Sequence, residues 1–530
     1  MAVRRAERPS VGPFQAYPLS EVLRRTARRL PDKEAVIDGQ HRVTFRRLDR
    51  DSDSLASALV SLGVHKGDRV GLFAPNSTEF IVAFYGIVKA GAIVTPLNAA
   101  YRPREVAHQL NDAGATMLIV HQGLLPVVEE TRRDLSALET LIVVGEASGD
   151  ALSYHQLIAQ HEGPPPQIEV DPREDLAALP YSSGTTGLPK GVMLTHFNLT
   201  SNVQQFLDRK DEAGVTREDD VALVHLPLFH SYGMTVLMNG CIGSGATQVL
   251  MDRFDTEECL GLMARHRVTM LFTVPPVVLL LTQVPGIENY DLSSVRLCLS
   301  GAAPLSAELQ GRLEALTGVP TIQGYGLTET SPVTNADFVE PERRRSGSVG
   351  PPMPDTEEKV VDLETGEREL PPGEVGELII KGPQIMKGYW NNPEATADML
   401  RNGWLYTGDM AKMDEDGYVY IVDRKKELIK YKGWQVPPAE LEALLLEHPA
   451  ISDVAVVGKP DLEAGEIPKA YVTASSADVT AEEIMAFVEQ RVAGFKKIRE
   501  IEFLDQIPKS PSGKVLRRVL VEQERQRAGG

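Results

Sequence analysis

The most telling chemistry lies in one short stretch, Tyr181-Ser182-Ser183-Gly184-Thr185-Thr186-Gly187-Leu188-Pro189-Lys190-Gly191. Its three glycines let the backbone turn with positive φ and approach a ligand closely. Four Ser/Thr hydroxyls, one lysine and the loop's own N–H groups suit the oxygens of a polyphosphate. This is not a Walker A loop, because Pro189 stands where a second glycine is required when counting from Gly184. A linker would also be rich in Gly and Ser, but this stretch joins two ordered segments and frames a lysine as Leu188-Pro189-Lys190-Gly191. A second stretch, Tyr325-Gly326-Leu327-Thr328-Glu329-Thr330, offers an aromatic ring to stack on a purine and a carboxylate to hold Mg²⁺. Magnesium takes few protein carboxylates, so one glutamate is enough. On its own the stretch also reads as a surface turn. Gly301-Ala302-Ala303, His230 and Lys514 have bland local readings too: a tight turn, a satisfied core histidine and a solubilising lysine.

Composition bounds the class. The chain has 530 residues and a formal charge of −19. At ~150 residues per domain the length implies three or four structural units. The acidity argues against a protein that coats nucleic acid, but an anionic small molecule is read by local charge. Cys241, Cys259 and Cys298 show no metal-ligand spacing, and three is an odd number, so a reducing cytoplasm is expected. The run Phe80 to Val88 is too short to span a bilayer. The first 30 residues hold seven arginines and no apolar signal core, which leaves an organelle transit segment as the minor alternative.

The elements that must position these groups alternate. Leu19 to Leu30 and Ser54 to Leu62 have helical spacing. Arg69 to Phe73, Ala92 to Pro96, Met117 to Val120, Val221 to Leu226, Thr247 to Met251, Met270 to Val274 and Val295 to Ser300 are short apolar runs. Leu176 to Leu179 precedes the glycine-rich stretch, and a helix is expected from about Asn198. The class predicted is α/β with largely parallel, doubly wound sheets. After about Arg344 the texture becomes β-rich, with Gly376 to Lys381 and Tyr418 to Val422 as paired strands. The last hundred or so residues read as a small α+β unit: a helix behind Pro437 and Pro438, strands at Val454 to Val457 and Ala470 to Thr473, and a helix opened by the Thr480/Glu483 capping box. Asp423-Arg424-Lys425-Lys426 separates the two parts and reads as a hinge or a solvated turn. The expected division is therefore a body over residues 1–423 and a mobile domain over residues 424–530.

The ordered motifs resemble those of the AMP-forming adenylating enzymes, which include acyl-CoA synthetases, peptide-synthetase adenylation domains and beetle luciferases. Beyond the glycine-rich loop they are Leu226-Pro227-Leu228-Phe229-His230, Gly301-Ala302-Ala303-Pro304, Tyr325 to Thr330, Tyr406-Thr407-Gly408-Asp409, Asp423 to Glu427, Lys430 to Trp434, and Pro508 to Lys514. The resemblance covers roughly residues 20 to 520. It implies ATP and Mg²⁺ binding through Ser182, Ser183, Gly184, Thr185, Thr186, Gly187 and Lys190, with Thr185 and Glu329 at the metal. Gly301, Ala302, Ala303, Gln323, Gly324, Tyr325, Gly326 and Ile421 would surround the nucleotide, and Tyr325 would pack on adenine. Thr328 would contact the α-phosphate, Asp409 the ribose hydroxyls, and Arg424 ribose and phosphate. A carboxylate suits a vicinal diol because its oxygens only accept. His230 would lie beside the acyl and phosphate sites.

The resemblance also implies two half-reactions. A carboxylic acid and ATP·Mg²⁺ give acyl-AMP and pyrophosphate, with Lys514 stabilising the transition state; a thiol then displaces AMP. Rotation at Lys426 would exchange Lys514 for the loop carrying Lys430, Lys432, Gly433 and Trp434. That loop resembles the coenzyme A ligase version, with Pro438 as a small departure. No carrier domain is expected after Gly530, and Ser231 stands where beetle luciferases have a second histidine. Tyr232, Gly233, Val274, Pro332 and Val333 would line an apolar acid pocket, although Gly233 replaces the tryptophan gate of some long-chain relatives. A medium- or long-chain fatty acid is expected over an aryl or hydroxycinnamic acid. A carrier-loading enzyme, an inactive nucleotide-binding relative and an ADP-forming kinase are the alternatives. Partners are expected to be small molecules without nucleic acid, and a homodimer is left open.

Overall fold

The computed structural model describes residues 8–182, 189–207, 216–424, 427–432, 434–461, 464–475, 479–492, 494–509 and 515–528, with backbone alone at residues 424, 434, 435 and 528. Among the described residues the strands form four sheets. In the first, Val221–Val224, Thr247–Leu250, Met270–Thr273, Leu297–Ser300 and Thr321–Gly326 run parallel, and Val333–Ala336 closes one edge antiparallel. In the second, Arg69–Phe73, Ile93–Pro96, Met117–His121 and Thr140–Val144 run parallel. Their near-continuous apolar sequences follow from burial on both faces.

One hydrophobic core spans both large sheets. The helix Thr78–Lys89 is buried from Phe80 to Lys89, and it is apolar nearly all round because it belongs to that core. Ser77 caps it by accepting from Phe80 N at 3.1 Å. Lys89 ends it in the interior, where Asp49 and Asp53 sit 2.5 and 2.6 Å away and offset the cost of burying the charge.

The predicted α/β class and element order hold. The helix expected from Asn198 begins at His196, immediately after the strand Lys190–Thr195. The run Val221 to Leu226 is a strand only to Val224; residues 226–230 form a turn that leads into a π-helical stretch, Tyr232–Asn239. There the side-chain amide of Asn239 donates to Met234 O at 2.8 Å, so the wider helical turn keeps its carbonyl satisfied.

The third sheet is the β-rich one: Glu357–Val361, Gly376–Lys381, Trp404–Met413 and Val419–Arg424, with a small core of its own. The fourth sheet lies in a separate C-terminal domain whose apolar clusters involve residues from Ile429 to Val521. Its long hairpin, Ile451–Asp461 with Gly465–Ala474, pairs in parallel with Glu500–Phe503. Lys469, 2% exposed, contacts Glu500, Glu502 and Glu524 at 2.9, 2.7 and 3.0 Å and so fastens the helix Arg517–Ala528 to the sheet. Thr480 caps Ala481–Glu489 as its sequence predicts. Among the described residues no helix is long and apolar enough to cross a membrane.

Candidate active site

The two ends of the glycine-rich stretch lie side by side. Tyr181–Ser182 and Lys190–Thr195 pair antiparallel, with Lys190 opposite Ser182. Ser183, Gly184, Thr185, Thr186 and Gly187 lie outside the described residues. The base of the hairpin is fixed from the second sheet's side: Tyr181 OH donates to Asp112 Oδ2 at 2.6 Å, and His108 Nε2 lies 2.8 Å from Pro189 O. Burial, with Asp112 alongside, pushes the Tyr181 phenol far above its ordinary range, so it stays a donor.

Glu329 connects this hairpin to the rest of the site. It sits in a short helical turn, Thr328–Thr330, and is 6% exposed. Ser182 Oγ and Tyr389 OH both donate to its Oε1, at 2.7 and 2.8 Å. Met386 N donates to the Glu329 carbonyl at 2.9 Å. Burial and the Glu329 charge hold the Tyr389 phenol protonated. The Lys190 ammonium lies 5.3 Å over the centre of the Tyr389 ring, a cation–π contact with the same side chain whose hydroxyl meets the carboxylate.

One residue before Glu329, Thr328 Oγ1 lies 3.3 Å from Ser231 Oγ, which brings the turn of His230 to the same place. His230 Nδ1 accepts from Tyr232 N at 3.3 Å. A distant residue shapes this turn: the buried Asn76 donates to Leu226 O at 3.0 Å and accepts from Leu228 N at 2.8 Å. On the other flank, Tyr325 OH donates to Asp409 Oδ2 at 2.6 Å. Asp409 is 5% exposed and pairs across strands with Arg424, while Ile421 pairs with Ala411 on the same two strands. The ring and the carboxylate expected at adenine and ribose are thus already joined.

Gly301, Ala302 and Ala303 form a turn at the end of Leu297–Ser300, with Ala302 in left-handed backbone at φ +66°. Gln323 steadies this turn by accepting from Leu305 N at 2.8 Å. Gly324 and Gly326 lie with Tyr325 on the strand Thr321–Gly326. A Cβ on Gly326 would lie 1.9 Å from Pro332 O, so only glycine lets this strand and the Pro332–Val333 segment touch. Tyr232 is buried and donates to Leu299 O at 3.0 Å; Val274 is buried ahead of the helix Pro275–Thr282. At Gly233 a Cβ would lie 2.0 Å from Pro227 O. This backbone therefore has no room for a tryptophan gate there.

Lys430 and Lys432 lie on an exposed hairpin of the C-terminal domain, Ile429–Tyr431 with Trp434–Val436. Lys430 N donates to Glu466 Oε2 at 2.8 Å, and Lys432 has left-handed backbone at φ +48°. Gly433, Lys426 and Lys514 lie outside the described residues, as do the side chains of Arg424 and Trp434. The structure thus joins Ser182, Lys190 and Glu329, Thr328 with the His230 turn, and Tyr325 with Asp409. Tyr389 and Asn76 were not singled out by sequence, and Ser231 was noted only as a departure from the luciferase pattern. The local sequence around Tyr389, Lys387-Gly388-Tyr389-Trp390, holds no sign that its hydroxyl meets a carboxylate 60 residues earlier.

A model of the AMP-binding enzyme family matches residues 23–390, and one of the AMP-binding enzyme C-terminal domain matches residues 440–514. The 4-coumarate–CoA ligase of Pinus taeda is 41% identical over 529 residues, covering 97% of this chain and 96% of the relative. The long-chain-fatty-acid–CoA ligase of Bacillus subtilis is 37% identical over 539 residues, covering 97% and 95%. The crystal structure of an anthranilate CoA ligase in complex with anthranoyl-AMP matches with a TM-score of 0.90 at 31% identity, over 98% of this chain and 99% of that one.

Proposed function

This chain belongs to the AMP-binding enzyme family, and from that premise we propose that its site works as an ATP- and Mg²⁺-dependent acyl-CoA synthetase with the residue roles below. As an AMP-forming acid–thiol ligase it activates a carboxylic acid to acyl-AMP and transfers the acyl group to coenzyme A. The observation that carries the proposed roles is the buried Glu329 carboxylate, held by Ser182 and by Tyr389, whose ring faces the Lys190 ammonium.

Ser182 and Lys190 hold the triphosphate at the base of the hairpin. Glu329 fits a hard cation, being a carboxylate among hydroxyl oxygens. Among the described residues no three His, Cys, Asp or Glu side chains gather to hold a metal, so phosphate and water oxygens must complete the shell. Mg²⁺ would neutralise phosphate charge as pyrophosphate leaves. Tyr325 takes the adenine, Asp409 the ribose, and Thr328 the α-phosphate. Lys514 stabilises the charge that gathers when the carboxylate attacks. Lys430, Lys432, Gly433 and Trp434 serve the second half-reaction after the domain over residues 424–530 turns at Lys426. The three buried free thiols fit a reducing cytoplasm.

The acid is proposed to have an apolar body. Tyr232, Val274 and Val333 are buried around its expected place. The medium- or long-chain fatty acid reading has the Bacillus enzyme in support. An aryl acid is the second reading, favoured by the higher identity to the pine 4-coumarate enzyme. Incubating the enzyme with ATP, Mg²⁺, CoA and in turn octanoate, hexadecanoate, benzoate and 4-coumarate decides between them. AMP and the thioester are expected in equal amounts with the preferred acid. ADP as product, or AMP with no thioester from any acid, would contradict the reading.

A further inference from the structure

The strand Val333–Ala336 pairs with Thr321–Gly326 on one side and has a bridge of Asn335 to Pro352 on the other, so the remaining backbone groups on that second side need partners from elsewhere. At Val333 the Asn202 side chain serves both groups, with Gln384 Nε2 a second, longer donor to Val333 O at 3.5 Å. Asn202, fully buried in the helix His196–Leu207, accepts from Val333 N at 3.1 Å and donates to Val333 O at 2.8 Å. One carboxamide thus makes the double exchange that a neighbouring strand residue would make. Its orientation is fixed, because Asn202 Nδ2 also donates to Gln205 Oε1 at 2.9 Å. Gln205 in turn donates to Pro354 O at 2.7 Å.

We propose that Asn202 is a positioning residue that sets the acid preference, by holding the Pro332–Val333 wall of the acid pocket at a fixed distance from the opposite wall. The inference rests on the reading that Val333 faces the acid. The segment is clamped between two supports: Pro332 O packs on Gly326, and Val333 hangs on Asn202. Removing the amide frees one side of that clamp: Val333 N loses its side-chain acceptor and Val333 O keeps the longer 3.5 Å contact from Gln384, so the wall shifts. The helix of Asn202 follows directly on the strand that begins at Lys190, so one continuous strand–helix segment links the phosphate hairpin to the acid wall.

The test uses the full-length enzyme and the ratio of kcat/KM for the best alkyl acid to that for the best aryl acid of the panel above. This ratio does not depend on how much of a preparation is folded, so a merely structural role leaves it unchanged. Asn202→Leu removes both bonds; Asn202→Asp keeps the shape but sets an oxygen against Val333 O, and it serves if the leucine variant fails to fold. We expect the ratio to change about tenfold in either variant, with KM for ATP within about twofold of wild type. Val333→Ala is the control for the underlying reading and should also change the ratio. A shift in Val333→Ala with none in the Asn202 variants overturns the positioning role. No shift in Val333→Ala overturns the placement of Val333 at the acid, and the inference with it.

Discussion

The nucleotide side of the body and the C-terminal domain are built in opposite ways. In the body, the charged groups of the candidate site are buried and tied to one another: Ser182 and Tyr389 to Glu329, Tyr325 to Asp409. In the C-terminal domain the candidate residues Lys430 and Lys432 stand on an exposed hairpin, while the buried charges, Lys469 and Glu524, serve only to hold that domain together. The domain has its own apolar clusters, and across the boundary Ala439 N donates to Asp423 Oδ2 at 2.9 Å. The body holds the candidate site's fixed geometry; under the roles proposed above, the C-terminal domain would be a carrier that presents groups to it. A preorganised electrostatic site needs the first, and two half-reactions at one place need the second.

The largest test of that contrast is Lys514→Ala. It should lose ~10²–10³-fold in acyl-AMP formation from ATP and acid yet still transfer a supplied acyl-adenylate to CoA. Near wild-type adenylation would remove the carrier's proposed contribution. On the body side, Glu329→Gln should cost on the order of 10²-fold in pyrophosphate release and require more Mg²⁺ for half-maximal rate. An unchanged Mg²⁺ requirement would take the cation away from Glu329. Tyr389→Phe leaves the ring under Lys190 and removes one donor from Glu329, so KM for ATP should rise about tenfold with the protein's Tm nearly unchanged. A normal KM would show that Ser182 alone orients the carboxylate.

The smallest effect concerns stability, and it belongs to the body alone. Burial lowers the His196 pKa to about 4, and its Nδ1 must stay neutral to accept from Leu19 N at 3.0 Å. The unfolded chain, with an ordinary histidine near 6.5, binds the extra proton first. Stability is therefore complete above pH 6.5 and falls as the pH drops toward 4. His196→Gln should flatten this limb in a pH series of melting temperatures; an unaltered slope would assign it to other groups.

The contrast also explains what the sequence disclosed. Motifs whose chemistry is local were legible: the glycine-rich hairpin, the Tyr325 to Thr330 stretch, and the parallel strands with their unbroken apolar runs. The Thr480 cap was legible because donor and acceptor lie three residues apart. Residues that work by reaching across the fold were not. Asn76 meets a turn 150 residues away, and Asn202 a strand 131 away. A buried amide looks the same in sequence whether it clamps a strand edge or a loop. The apolar run from Val221 was expected to continue to Leu226, yet it ends at Val224, and the two bonds from Asn76 hold the turn at 226–230 that follows.

The division between a fixed body and a carried domain is tested most directly by Lys426→Pro, with the two half-reactions measured separately on one preparation. Acyl-AMP formation should stay close to wild type, while CoA transfer from supplied acyl-adenylate should fall at least about tenfold, because a locked φ blocks the turn between the two arrangements. Equal loss in both half-reactions would contradict it.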